Sequence, residues 1–174
     1  MRETHPLNVL KFCPKCGSSS FKASGERSVK CSSCGFHLYI NSSAAVAALV
    51  TDKSGKLMLV TRGIEPDYGK LDLPGGFIDP GENAEDAVRR ELFEELGMKI
   101  KSMKYINSAP NEYIFSGFSV FTLDLVFEVV PESLTGLKPM DDILDYKFYT
   151  RAEIDFNDIP GSSIRKFVQD FFEK

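Results

Sequence analysis

Three glutamates, Glu91, Glu94 and Glu95, follow Arg89 and Arg90 in a stretch that ends at Gly97. On a helix, Glu94 lies about 60° to one side of Glu91 and Glu95 about 40° to the other, so the three carboxylates share a face. Like charges three or four residues apart cost about 0.2–0.5 kcal/mol per pair. Glu94 and Glu95 also fall in the last turn, where the macrodipole disfavours anions by roughly 0.3–1 kcal/mol. Stability alone would place lysine there, and local rules are broken most often at functional sites. A hard divalent cation resolves the conflict, because magnesium prefers carboxylate oxygens and bridges to substrate phosphates. Ala84 and Ala87, one turn earlier, are small and are expected to leave room beside Glu91 for a metal and a phosphate. Taken bare, the same triplet also suits a solvated acidic face.

A second set of ligand-type residues lies at the front of the chain. All four cysteines, Cys13, Cys16, Cys31 and Cys34, form two Cys-x-x-Cys pairs, each followed by glycine (Gly17 and Gly35). Two tight turns bearing two thiolates each complete the tetrahedral shell that zinc needs. The glycines permit the positive φ that such turns use. Four protein ligands leave no position for a substrate, so this zinc is expected to be structural. Two disulfides would suit a secreted chain, but the first residues lack the apolar run of a secretory signal, and the expected location is the cytoplasm, where thiols stay reduced. The module resembles a zinc ribbon, with strands near 28–30 and 36–39. His5 and His37 read as ordinary tail and strand residues.

The elements around these residues divide in two. The chain has 174 residues, 43% hydrophobic and 26% charged, ordinary for a globular protein. Its longest apolar run, 44–50, is far short of the roughly 20 residues a membrane helix needs, so no membrane partner is expected. Residues 1–42 carry six basic residues against Glu3 and Glu26, a net +4 in a chain of −4, which leaves −8 on the remainder. We therefore expect a zinc-binding module over 1–42 and an α/β domain over 43–174. The basic front lacks an aromatic platform, so nucleic acid is disfavoured as a partner. In the second part, strands are expected over 44–51 and 56–62, joined as a hairpin by Asp52-Lys53-Ser54-Gly55. An extended segment over 71–79 is broken by Pro74-Gly75-Gly76. A helix over 83–96 starts at Asn83 and stops at Gly97. Strands follow over 99–108, 118–130 and 143–149, and a closing amphipathic helix over 162–172.

The glutamate helix sits in a longer pattern, Gly76-x5-Glu82-x7-Arg90-Glu91-Leu92-x-Glu94-Glu95-x-Gly97-Met98, preceded by Leu73-Pro74-Gly75. This resembles the box of the Nudix hydrolase superfamily, and the resemblance covers about residues 43–155. It implies an α/β/α sandwich around a mixed sheet, with the box as loop–helix–loop. It implies that Glu91, Glu94 and Glu95 hold Mg²⁺ or Mn²⁺, with the carbonyl of Gly75 or Gly76 joining them. Arg90 would orient the glutamates, and Glu82 would brace the loop through Arg90. The implied reaction is hydrolysis of a nucleoside diphosphate linked to a group X, such as NADH or ADP-ribose. The general base is open between Glu91, Glu95 and a later loop acid, Asp141 or Asp142, with Glu112 and Glu128 weaker candidates.

A front zinc ribbon followed by this domain is also similar to NADH pyrophosphatases. Their signature after the box, Ser-Gln-Pro-Trp-Pro-Phe-Pro-x-Ser, is met here only by Ser108, Pro110 and Ser116, with Tyr113 in place of phenylalanine. The chain contains no tryptophan. Tyr113 and Phe115 are the candidates to stack on a base, with Tyr68 a third; core packing is the alternative. Ribbon-bearing relatives pair, so a homodimer is a further expectation. The competing function class is a nucleotide sensor or nucleic-acid-binding regulator that uses the basic ribbon.

Overall fold

The computed structural model describes residues 2–173. The chain divides into two compact units, Met1–Ser42 with Glu112–Phe121, and Ser43–Asn111 with Thr122–Lys174.

The first unit contains helix α1 (Pro6–Val9) and strands β1 (Phe21–Ala23), β2 (Ser28–Cys31) and β3 (His37–Tyr39). The strands form an antiparallel sheet with β2 in the middle. Its core is small: Leu7, Cys13, Phe21, Val29 and Cys31 are buried, and two of the five are cysteines. The two Cys-x-x-Cys turns close identically. Gly17 N–H donates to Cys13 O and Gly35 N–H to Cys31 O, and both glycines take the positive φ that the turn requires. The unit also takes the tip of a hairpin that sequence reading assigned wholly to residues 43–174. There Ser119 N–H donates to Thr4 O, His5 packs on the Phe121 ring, and Arg2 pairs with Glu112 at 3.2 Å.

The second unit contains β4 (Ser43–Val50), β5 (Leu57–Arg62), β6 (Leu71–Asp72), α2 (Ala84–Leu96), β7 (Ile100–Phe115), β8 (Phe118–Pro131), β9 (Ile143–Tyr149) and α3 (Ser162–Phe172), less the hairpin tip. One sheet is ordered β4-β8-β7, with β4 parallel to β8; the other is ordered β6-β5-β9 and is antiparallel. Two cores flank the strands. Val46, Val50, Phe127 and Val129 meet Val88, Leu92 and Leu96 of α2. Ala47, Leu49 and Val126 meet Phe167 and Val168 of α3. Successive β4 residues thus feed opposite cores, which is why its sequence is continuously apolar. This is an α/β/α sandwich around a mixed sheet.

Two local expectations are corrected. β4 and β5 are not a paired hairpin: a single bridge, Thr51 with Leu57, joins them, and they lie in different sheets. The Asp52 carboxylate accepts from Ser54 N–H, Ser54 O–H and Lys56 N–H, and so takes up donors that a hairpin ladder would use. Ala87 is fully buried and Ala84 packs on the same α2 core. Their small size lets the helix approach the sheet; it does not leave space beside the glutamates.

Candidate active site

The site is built from α2 and the loop before it. Asn83 caps the helix by accepting from Asp86 N–H, and Gly97 ends it at φ +64°, as the sequence indicates. Lys138 N–H and Met140 N–H donate to Leu96 O and Glu95 O, so a later loop satisfies the helix's last carbonyls. The Leu73–Gly76 segment is tied to β4 through Ala48 N–H to Pro74 O and Val46 N–H to Gly76 O. Both glycines are required by close approach. A Cβ on Gly75, at φ +142°, would collide with Val46 O, and one on Gly76 would lie 2.6 Å from Glu91 Oε1.

The three glutamates differ in setting. Glu95 is buried, with 6% exposure, and accepts from Gly75 N–H at 3.0 Å. Burial pushes its carboxyl up to about 8; Glu91, Asp72 and Asp142 add repulsion against the Gly75 hydrogen bond. Glu91 is largely buried and is also raised by desolvation, against its pairing with Arg90 at 2.8 Å. Glu94 is the exposed member, 3.1 Å from the same guanidinium nitrogen.

Arg90 is the hub. Its Nε and one terminal nitrogen form a fork on the two Glu82 oxygens at 2.9 and 2.8 Å. The same terminal nitrogen donates to Phe77 O at 2.9 Å. Glu82 accepts from Asp79 N–H as well, and the Arg90 hydrogen bonds hold its carboxyl below the usual range. Lysine offers no such planar fork. The sequence pairing of Glu82 with Arg90 is thus a bidentate contact in the structure.

Glu91 and Glu95 are partly desolvated, mutually repelling carboxylates beside Gly75 and Gly76. That donor chemistry fits a hard divalent ion. Gly76 O is already engaged by Val46, whereas Gly75 O accepts no hydrogen bond from the described residues. The four cysteine sulfurs are more nearly a finished site. They lie within 4.8 Å of one another, with Cys13–Cys34 and Cys16–Cys31 both at 3.7 Å. A tetrahedral ion with metal–sulfur bonds of about 2.3 Å requires edges of about 3.8 Å.

The remaining candidates scatter. Of the loop acids, Asp142 is near enough to Glu95 to repel it, and its carbonyl holds Gly63 N–H at 2.6 Å; Asp141 occupies a positive-φ corner. Glu128 is exposed on β8, and Glu112 pairs with Arg2 in the first unit. Tyr113 and Phe115 belong to the first unit, whereas the box belongs to the second. Tyr68 is exposed on the loop before β6. Sequence reading missed two residues. Phe77, 45% exposed, directly follows Gly76 and bridges to Ala45; its place beside the glycines was the available signal. Asp72, salt-bridged to Arg62 at 2.7 Å, comes close to Glu95 only through the fold.

Among the described residues, no helix is long and apolar enough to cross a membrane. A family model for the NUDIX domain matches residues 41–171. A Haemophilus influenzae protein named NAD-capped RNA hydrolase NudC is 34% identical over 108 residues, 61% of this chain and 40% of that protein. Its Pseudomonas syringae pv. tomato namesake is 37% identical over 98 residues, 56% of this chain and 34% of that protein. The chain thus spans less than half the length of these curated relatives. The crystal structure of a NUDIX hydrolase from Nitrosomonas europaea superposes with a TM-score of 0.67 over 94% of this chain and 91% of that one, at 23% identity, and so shares the fold. With the box intact on α2 and the family match running over three quarters of its length, the chain belongs to the Nudix family.

Proposed function

We propose that the chain is a Nudix pyrophosphohydrolase that cleaves the pyrophosphate linkage of a nucleoside diphosphate joined to a group X, with nicotinamide–adenine dinucleotides as the leading class. The observation that carries this reading is the pair of desolvated carboxylates, Glu91 and Glu95, beside Gly75 and Gly76 and organised by Arg90. The relatives' names support the dinucleotide class.

Glu91, Glu94, Glu95 and the Gly75 carbonyl would hold Mg²⁺ or Mn²⁺. When bound, such ions neutralise pyrophosphate oxygens and lower the pKa of an attacking water. Arg90 keeps the carboxylates in register, and Glu82 fixes Arg90. Gly75 N–H orients Glu95. Asp142, whose charge adds to the repulsion on Glu95, is the better candidate of the two loop acids to take the proton of the attacking water. Phe77 offers an exposed ring beside the cleavage site for a base to stack on. The four cysteines would hold a structural zinc, and free thiols suit the reducing cytoplasm.

The test is product release from NADH, NAD, ADP-ribose, FAD, diadenosine polyphosphates and nucleoside triphosphates with Mg²⁺ or Mn²⁺. Turnover by the native chain that vanishes in Glu95→Gln establishes the hydrolase, and the preferred compound names X. No turnover on any of them overturns the dinucleotide reading.

A further inference from the structure

Few polar side chains are buried among the described residues, and three of them meet in one place. Thr122, Asp124 and Ser163 are 3%, 6% and 1% exposed. Thr122 and Asp124 lie two residues apart on β8, so their side chains share a face, the one that Val126 presents to the α3 core. Ser163, in the first turn of α3, donates its hydroxyl to Asp124 Oδ2. The helix start itself is served from elsewhere: Asn111 Oδ1 accepts from both Ser162 N–H and Ser162 O–H.

This cluster is under-satisfied. Thr122 Oγ1 is the one buried side-chain oxygen or nitrogen among the described residues with no hydrogen-bond partner. Asp124 Oδ1 accepts no hydrogen bond from them, and none of their cations pairs with Asp124. A buried hydroxyl without a partner costs about 1–3 kcal/mol, and a carboxylate more. Valine would fit the Thr122 position without that cost. Thr122 and Asp124 therefore present a donor and an acceptor that no described residue uses.

Strand register relates them to Phe77. Phe77, Ala45 and Asp124 lie in a row across three adjacent segments: Phe77 bridges Ala45, and Ala45 pairs with Asp124. Partners in register project to the same face. The row therefore reads exposed ring, small floor, carboxylate, and Ala45 is itself partly exposed. Two strand spacings, about 10 Å, separate the Phe77 and Asp124 backbones. Gly76, whose Cα approaches Glu91, precedes Phe77 directly. Asp124 thus stands two strands in from the segment that Glu91 approaches, on the face that Phe77 shares.

We propose that Thr122, Asp124 and Ser163 form the specificity subsite that reads a donor–acceptor edge on the substrate's heterocycle. The subsite takes an amino or carboxamide group: Asp124 Oδ1 accepts its N–H, and Thr122 O–H donates to the neighbouring ring nitrogen or carbonyl. Ser163 is a positioning residue that holds the carboxylate. Both adenine and nicotinamide carry such an edge. The proposal rests on the hydrolase reading above.

The test uses product nucleotides, so that turnover does not enter. Dissociation constants with Mn²⁺ are measured for two pairs: AMP against purine riboside 5′-monophosphate, which lacks the amino group, and nicotinamide mononucleotide against nicotinic acid mononucleotide, whose carboxylate Asp124 repels. The native chain is expected to favour the amino- or amide-bearing member of one pair by about tenfold or more, the scale of a buried polar group left unpaired. Which pair it favours identifies the heterocycle. Asp124→Asn, whose oxygen keeps the Ser163 hydrogen bond so that its amide NH2 faces the substrate's donor, and Thr122→Val are each expected to collapse that preference to less than threefold. Thr122→Val covers the case in which Asp124→Asn does not fold: a methyl in place of an unpartnered hydroxyl is expected to raise the melting temperature while discrimination is lost. The proposal is overturned if the native chain prefers neither pair, or if Thr122→Val melts higher with discrimination intact. Turnover of the native chain in the substrate panel separates the failures. Hydrolysis with unchanged discrimination removes the subsite alone; no hydrolysis removes the reading beneath it.

Discussion

The chain carries two ligand clusters in opposite states of readiness. The four thiols already converge, with sulfurs within 4.8 Å of one another. The three glutamates do not: Glu91 and Glu94 are turned onto Arg90, and Glu95 is turned onto Gly75 N–H. The burial around them differs in the same sense. Five side chains make up the buried core of the first unit, and two of these are cysteines, so an ion held by the thiols would add to a core that is small without it. The glutamates project from a helix whose hydrocarbon face is packed independently of them, so ions held there would be free to exchange. A resident ion calls for convergence, while a transient one calls for carboxylates held in check by exchangeable partners.

The most severe way to break this contrast is at the thiols. Structural zinc contributes about 10–16 kcal/mol of apparent binding free energy in small modules. Cys13→Ser, or a strong chelator on the native chain, is expected to abolish hydrogen-exchange protection in β1–β3 while the amides of β4, β5 and α2 stay protected. Full protection in β1–β3 after the metal is stripped would show that the small core suffices. The matching change in the second cluster, Glu95→Gln, is expected to lower kcat by about 10³-fold, the scale of removing one group that stabilises transition-state charge. It leaves the Gly75 hydrogen bond in place, because an amide oxygen still accepts. A loss below tenfold would move the essential carboxylate elsewhere.

A third experiment reads the same carboxylate through stability. Glu95 binds its proton in the folded state up to about pH 8 but in the unfolded state only up to the ordinary carboxylate range. Between those values the folded state holds more protons, so stability falls as pH rises through that window. From pH 6 to pH 9 the loss from this group is about 2–3 kcal/mol in metal-free protein. Glu91 and Asp72, also raised by burial, act in the same direction, whereas Glu82, held low by Arg90, acts only in acid. Urea denaturation at the two pH values is expected to show the slope in the native chain and its flattening in Glu95→Gln. Added Mg²⁺ should restore stability at pH 9, because it binds the ionised form. Equal slopes in the two proteins would remove Glu95 as the titrating group.

Much of this was legible in the residues. Both clusters of ligand-type residues were readable because their spacing is local: two tight turns and one helical face need no tertiary information. The boundaries of α2 were readable because Asn83 and Gly97 act on adjacent backbone groups. What escaped was set by strand partners. The apolar segments 44–50 and 57–62 look like a hairpin, but β4 pairs with β8, eighty residues on, and nothing local says so. Alternation on β8 marks Phe127 and Val129 as core, but it cannot reveal that Thr122 and Asp124 on the other face are buried too. A strand covered on both sides hides its polar exceptions until its neighbours are known.

The gentlest change separates charge from shape at the hub of the second cluster. Arg90→Lys keeps the positive charge beside Glu82, Glu91 and Glu94 but replaces a planar fork with a single ammonium. In the native chain, one guanidinium serves both Glu82 oxygens, Glu91, Glu94 and the Phe77 carbonyl. An ammonium has three donors from one point and cannot span that arc. If Arg90 serves only to neutralise charge, the lysine variant should work nearly as well. If it sets the angle of each carboxylate, the metal requirement should rise. We expect about a 10–30-fold higher Mn²⁺ concentration for half-maximal rate, the range for losing a partner that orients metal ligands. The rate at saturating Mn²⁺ should fall less, because the ions themselves then impose the geometry. A kcat loss with unchanged Mn²⁺ dependence would instead put the guanidinium on the substrate, and the two ligand clusters would no longer differ in how they are held.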